Sequence, residues 1–164
     1  MDFNSCALSL TPRAGTLVGP LPLGEGNSGV ASRNFDKTAG WKPGVRILDV
    51  GCGSGFPALA AAASIRPGGS VVATDISPEM LAVASSRANA DGLDNIEFVE
   101  MDAEQLKFDD AEFDVVTNAY GLMFCPDVPR AFREAHRVLR PGGRFVFNAW
   151  DRLDRRKRRR WLKS

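Results

Sequence analysis

"VRILDVGCGSGFPALAAAASI", residues 45–65, changes character twice along its length. Val45 to Val50 is an apolar run of strand length, residues 51–55 carry glycine at every second position, and the alanine-rich remainder has helical composition. A buried strand that passes through glycines directly into a helix is the opening unit of an open α/β sheet. Its loop then lies at the carboxyl end of the strand, where such sheets have their crevice. Gly51, Gly53 and Gly55 let the backbone turn sharply and approach a ligand with no Cβ in between. A loop of this kind is also compatible with a plain strand-to-helix turn, so its partners elsewhere in the chain decide its meaning.

Outward from this unit the same alternation continues. Further strands are expected at 70–76 ("SVVATDI"), 96–102 ("IEFVEMD"), 113–120 ("FDVVTNAY") and 144–150 ("RFVFNAW"). Helical segments separate them: "EMLAVASSRANADG", introduced by Ser77 as N-cap and Pro78 at the first helical position, and "VPRAFREAHRVLR", with Phe132, Ala135, Val138 and Leu139 on one face. Pro-Gly-Gly triplets at 67–69 and 141–143 read as turns before the second and fifth strands. The alternation predicts a Rossmann-like, doubly wound parallel sheet in the order 3-2-1-4-5 with helices on both faces. Residues 1–40 are rich in Gly, Pro, Ser and Leu without periodicity and are expected to be poorly ordered. The folded core is expected at 41–150, and 151–164 reads as a basic tail.

With 164 residues and 44% hydrophobic content, the chain suits one domain with a real core. The formal charge of +1 hides an asymmetry. The last 14 residues carry eight Lys or Arg against two Asp, which leaves 13 basic and 18 acidic side chains in the first 150. Cys6, Cys52 and Cys125 are far apart and accompanied by a single histidine, so neither a disulfide framework nor a metal site is indicated. With no apolar run of membrane-spanning length and no secretory signal pattern, a cytoplasmic protein is expected.

Three carboxylates end adjacent strands. Asp75 follows Gly55 by 20 residues and closes the second strand, from which a carboxylate accepts hydrogen bonds from ribose hydroxyls. Asp102 closes the third strand beside Met101, and Asp49 precedes the glycine loop, so the three bracket one crevice. The glycine spacing is GxGxG, where the dinucleotide fingerprint requires GxGxxG; a ligand other than NAD is favoured.

"ILDVGCGSG" (47–55), "VVATDISPEMLAVA" (71–84), "IEFVEMDAEQLKFDDAEFDVV" (96–116) and "EAHRVLRPGGRF" (134–145), in this order and spacing, resemble the successive motifs of class I S-adenosylmethionine-dependent methyltransferases, nearest the ubiquinone/menaquinone-biosynthesis-like small-molecule group. The resemblance implies that S-adenosylmethionine is the cofactor and a small molecule the methyl acceptor. By the same resemblance, Gly51, Gly53 and Gly55 lie along the methionine part of the cofactor, and Asp49 steadies the loop and the cofactor's amino group. Asp75 holds both ribose hydroxyls, Ile76 packs on the adenine, Asp102 bonds the adenine amino group and Ala103 supplies a backbone N–H. Asn118 would present its backbone carbonyl near the methionine amine. No residue is singled out as catalytic. The family's sheet has seven strands, of which five are legible here. The fifth strand is therefore expected to be an uncovered edge open to self-association, and a cofactor-binding chain without turnover stays the alternative to an active enzyme. An NAD-type oxidoreductase is the third reading.

The remaining conspicuous residues read more plainly. His136 sits among arginines on a helix and is expected to be structural, and Cys52 is expected to be a small packing residue rather than a reactive thiol. Tyr120, Met123 and Phe124 follow the fourth strand on the crevice side and are divided between acceptor pocket and core. "RRKRRR" (155–160) reads as a solvated end rather than a nucleic-acid contact.

Overall fold

Five parallel strands follow one another in the expected order, and a sixth joins them from a part of the chain where none is expected. The structure, a computed structural model, describes residues 39–148 and the backbone of Leu17–Val18. The strands are β1 (Leu17–Val18), β2 (Arg46–Val50), β3 (Ser70–Asp75), β4 (Ile96–Glu100), β5 (Phe113–Ala119) and β6 (Leu139–Asn148). The helices are α1 (Ala58–Ser64), α2 (Pro78–Ala90) and α3 (Val128–Arg137), with a 3-10 turn at Leu122–Phe124. The sheet order is β1-β6-β5-β2-β3-β4, all parallel, which contains the predicted 3-2-1-4-5 arrangement as β4-β3-β2-β5-β6.

The period of two along each strand sorts the core into two layers. On one face Ile47, Val71, Ala73, Val115 and Val146 pack with Ala58, Ala61 and Ala62 of α1 and Leu81 of α2. Small alanines let α1 lie close against the strands. On the other face Leu48, Val50, Val72 and Val116 meet Phe132 and Ala135 of α3 together with Leu106. Phe132 stands edge-on to Phe145 and Phe147, with ring centroids 5.4 and 5.1 Å away. The expected cap of α2 forms, with Ser77 Oγ accepting from the Met80 N–H at 3.2 Å and Pro78 opening the helix, and α3 carries a further cap in which Asp127 Oδ1 accepts from the Arg130 N–H at 3.0 Å.

Two expectations need correction. Residues 141–143 form no separate turn before the fifth strand. They belong to β6, where a register shift sets residues 140–143 opposite Asp114 alone, between the pairs Phe113↔Leu139 and Val115↔Arg144. Gly142, at φ +80°, supplies the left-handed residue that this irregularity uses. Nor is the fifth-strand edge uncovered at its centre, because Leu17 pairs with Phe145 and Val18 with Val146. Main-chain N–H and C=O groups at an edge accept any extended segment, whatever its side-chain pattern. Association through that edge would therefore have to displace β1, and these two residues leave the stretch expected to be poorly ordered. The rest of that stretch up to residue 38, and the basic run at 155–160, lie outside the described residues.

Candidate functional site

The strand β2 ends in the glycine loop, and three backbone bonds fix the loop's path. Cys52 N–H donates to Thr74 O at 2.9 Å, Gly55 N–H to Cys52 O at 2.9 Å, and Leu59 N–H to Gly55 O at 2.8 Å. The glycines serve different needs. Gly55 sits at φ +110°, a conformation that side-chain-bearing residues rarely adopt, and a Cβ there would also press on Leu59 Cδ1 at 2.8 Å. At Gly53, with φ +52°, a Cβ would meet nothing within 4 Å among the described residues, so the loop presents bare backbone there.

Asp75 ties this loop to the next. Its Oδ2 accepts from the Gly53 N–H at 2.8 Å and its Oδ1 from the Ser77 N–H at 3.0 Å. Each carboxylate oxygen keeps a further lone pair for a ligand. Asp102, exposed at the rim, accepts from the Glu104 N–H at 2.8 Å. Glu104 Oε1 in turn accepts from the Asp127 N–H at 2.8 Å, joining the segment after β4 to the start of α3.

Asp49 is fully buried. Thr117 Oγ1 donates to its Oδ1 at 2.7 Å, while among the described residues Oδ2 has no hydrogen-bond partner. Burial pushes its pKa up to about 7; the Thr117 hydroxyl and the backbone of Ala58 pull it down, and the charge of Asp75 adds a smaller upward push.

These elements border a cleft of about 240 Å³ at the carboxyl ends of the strands. Of the nine residues singled out in the sequence, six line it: Gly51, Asp75, Ile76, Asp102, Ala103 and Asn118. Asp49, Gly53 and Gly55 do not; the first lies beneath the loop and the other two shape it. Ile76 and Phe124 expose 71% and 79% of their surface, unusual for large apolar side chains, and both border the cleft. Asp75 and Asp102 are its charged lining, and among the described residues no lysine or arginine lines it.

Sequence reasoning missed Gly121, Leu122, Cys125 and Pro126, which form the wall after β5. The signal was the run of apolar residues and glycine directly after a strand end, of which only Tyr120, Met123 and Phe124 drew notice. Phe124 lines the cleft, whereas Tyr120 and Met123 do not. His136 borders a separate hollow beside Arg137 and Arg140, away from the cleft. Cys52 is 2% exposed, and burial drives its thiol pKa upward, so it packs as a small apolar residue. Among the described residues there is no group of potential metal ligands, and no helix is long and apolar enough to cross a membrane.

Comparison with known proteins adds the following. A family described as "Methyltransferase domain" matches residues 48–147. An uncharacterized protein of Mycobacterium tuberculosis is 45% identical over 112 residues, covering 68% of this chain and 39% of its own length. A demethylmenaquinone methyltransferase of Lactococcus lactis is 40% identical over 110 residues, covering 67% of this chain and 44% of its own length. Among solved structures, an S-adenosylmethionine-dependent methyltransferase from Aquifex aeolicus superposes with a TM-score of 0.68 at 26% identity, covering 76% of this chain and 66% of that one. The chain spans about two fifths of the length of these two curated relatives.

Proposed function

The chain belongs to the methyltransferase-domain family, and from that premise we propose that it transfers a methyl group from S-adenosylmethionine to a small apolar acceptor. The observation that carries this reading is the charge of the cleft: among the described residues two carboxylates line it without a lysine or arginine, beside a loop whose open face is bare backbone. Such a site suits a ligand carrying ammonium and sulfonium charges, whereas a dinucleotide pyrophosphate would meet like charge.

The residues present fit this cofactor. Asp75 would hold the ribose hydroxyls with its remaining lone pairs, and Ile76 would cover the adenine with a side chain already exposed to the cleft. Asp102 and the Ala103 N–H would meet the adenine edge. The bare face at Gly53 would run along the methionine part, between Gly51 and Gly55. The buried Asp49, with one oxygen unpartnered, would steady the loop and favour a nearby ammonium, and the Asn118 backbone carbonyl would face the same amine. When bound, the cofactor supplies an electrophilic methyl whose in-line transfer depends mainly on alignment in a water-poor pocket. Around it, the chain's residues orient the ribose and exclude water with Leu122, Phe124 and Met101.

The apolar wall and the name of the Lactococcus lactis relative both support a quinone-like acceptor, and free Cys52 and Cys125 support a cytoplasmic setting. Titration calorimetry with S-adenosylhomocysteine tests the cofactor site, with NADH as competitor. Saturable binding that NADH does not displace is expected; a folded sample that binds only NADH refutes the proposal. Radiolabelled methyl transfer to hydroxylated aromatic acceptors then separates turnover from cofactor binding alone.

A further inference from the structure

Asn118 is 1% exposed, yet its carboxamide spans two chain segments that border the cleft. Its Nδ2 donates to Val50 O at 2.5 Å, the last carbonyl before the glycine loop. Its Oδ1 accepts from the Leu122 N–H at 3.2 Å, at the start of the turn after β5. Both ends of one side chain are therefore engaged, one by each wall. The neighbouring residue, on the opposite face of the strand, bonds toward β2 alone, with Thr117 Oγ1 donating to Asp49 Oδ1.

The two walls also touch directly. A Cβ on Gly51 would come within 3.3 Å of Gly121 Cα, and a Cβ on Gly121 would come within 2.8 Å of Asn118 Nδ2 and 3.3 Å of Gly51 Cα. Gly121 has φ −73° and ψ −47°, a conformation open to every residue. Glycine is required there by the neighbours and not by the backbone.

We propose that the Asn118 carboxamide is a positioning residue that locks the glycine loop to the Gly121–Cys125 wall, so that one side chain sets the register of both. This role is separate from any contact by the Asn118 backbone carbonyl, and it rests on the cofactor reading above. Without the carboxamide, each wall must be ordered anew when ligand binds, and affinity falls even where the fold persists.

The test is S-adenosylhomocysteine affinity by calorimetry, set against the ligand-free thermal midpoint. Asn118→Ala should raise Kd by about tenfold or more. Val116→Ala, fully buried and outside the cleft, should lower the midpoint and leave Kd within about twofold. Gly121→Ala should also raise Kd, and the double variant should fall short of the summed effects, because Asn118→Ala removes the atom that the new Cβ meets. A Kd within about twofold of wild type in Asn118→Ala, or full additivity in the double variant, overturns the proposal. Should Asn118→Ala not fold, amide hydrogen exchange on the wild-type chain decides. Ligand should slow Leu122 in step with residues 51–53; an unchanged Leu122 overturns the lock. A wild-type chain that binds no S-adenosylhomocysteine fails at the earlier step and refutes the cofactor reading itself.

Discussion

Replacing Asp49 by asparagine should make the ligand-free protein more stable at neutral pH and nearly unchanged in acid. Asp49 is fully buried, and its pKa rises from 3.8 to about 7. Between those values the native state holds a proton that the unfolded chain releases. The slope of unfolding free energy with pH is therefore negative: Asp49's contribution is fully present below about pH 4, declines as pH rises, and levels off above about pH 7. A shift of this size corresponds to about 4 kcal/mol. Asparagine keeps the shape and the oxygen that accepts from Thr117 while removing the charge. Urea unfolding of both proteins from about pH 4 to about pH 8 isolates this residue, because every other titrating group is common to the two. The stability gap between variant and wild type should open by about 1.4 kcal/mol per pH unit in the middle of the window. A gap that stays constant across the whole range would show that the carboxyl does not titrate as its burial dictates. The same substitution should weaken S-adenosylhomocysteine binding above about pH 7, where only the wild type carries the charge that favours an ammonium.

Gly53→Ala should cost about 1 kcal/mol of stability through its left-handed backbone, and should lower S-adenosylhomocysteine affinity by about tenfold or more by filling the loop's open face. Asp75→Ala should lower the same affinity about a hundredfold, since it removes the oxygens proposed to hold the ribose and frees the Gly53 and Ser77 amides; an affinity within about threefold of wild type in calorimetry would refute its assigned role. Arg137→Met should reduce stability by about 2 kcal/mol in chemical denaturation, because its guanidinium donates to Glu134, Asp110 and the carbonyls of Leu106 and Phe108. His136→Ala, away from the cleft, should leave S-adenosylhomocysteine affinity within about twofold of wild type.

The parts of the fold that were legible were those written in side chains. Apolar runs of strand length predicted β2 to β6, and Ser77-Pro78 marked the start of α2 to the residue. Leu17–Val18 escaped because an edge partner is recruited through main-chain groups, which leave no periodicity to read. The Pro-Gly-Gly at 141–143 reads as a turn because a register shift within a strand uses the same glycine chemistry. In the cleft, Asp75 and Asp102 were legible from their places at strand ends, and Ile76 only through the resemblance to the methyltransferase motifs. The Asn118 carboxamide was not: the contacts that define it reach across 68 residues to Val50, a separation that local patterns do not encode. Gly121 was missed for a related reason, since its constraint is the proximity of Gly51 and not its own dihedral angles.

The link from Asp102 to Glu112 lacks regular structure, yet Arg137 and Glu134 clasp it through the amide of Leu106 and the carbonyls of Leu106 and Phe108. That clasp makes the link, α3 and the phenylalanine layer one cooperative block, while the glycine loop, α1 and α2 belong to the block on the opposite face of the sheet. Opening of either block alone would break the Asn118 bonds that join the two walls and dismantle one side of the cleft. A ligand seated between them bonds the two blocks into a single unfolding unit. In native-state exchange the ligand-free chain should accordingly show two subglobal openings of different free energy, merging into one when the cleft is filled.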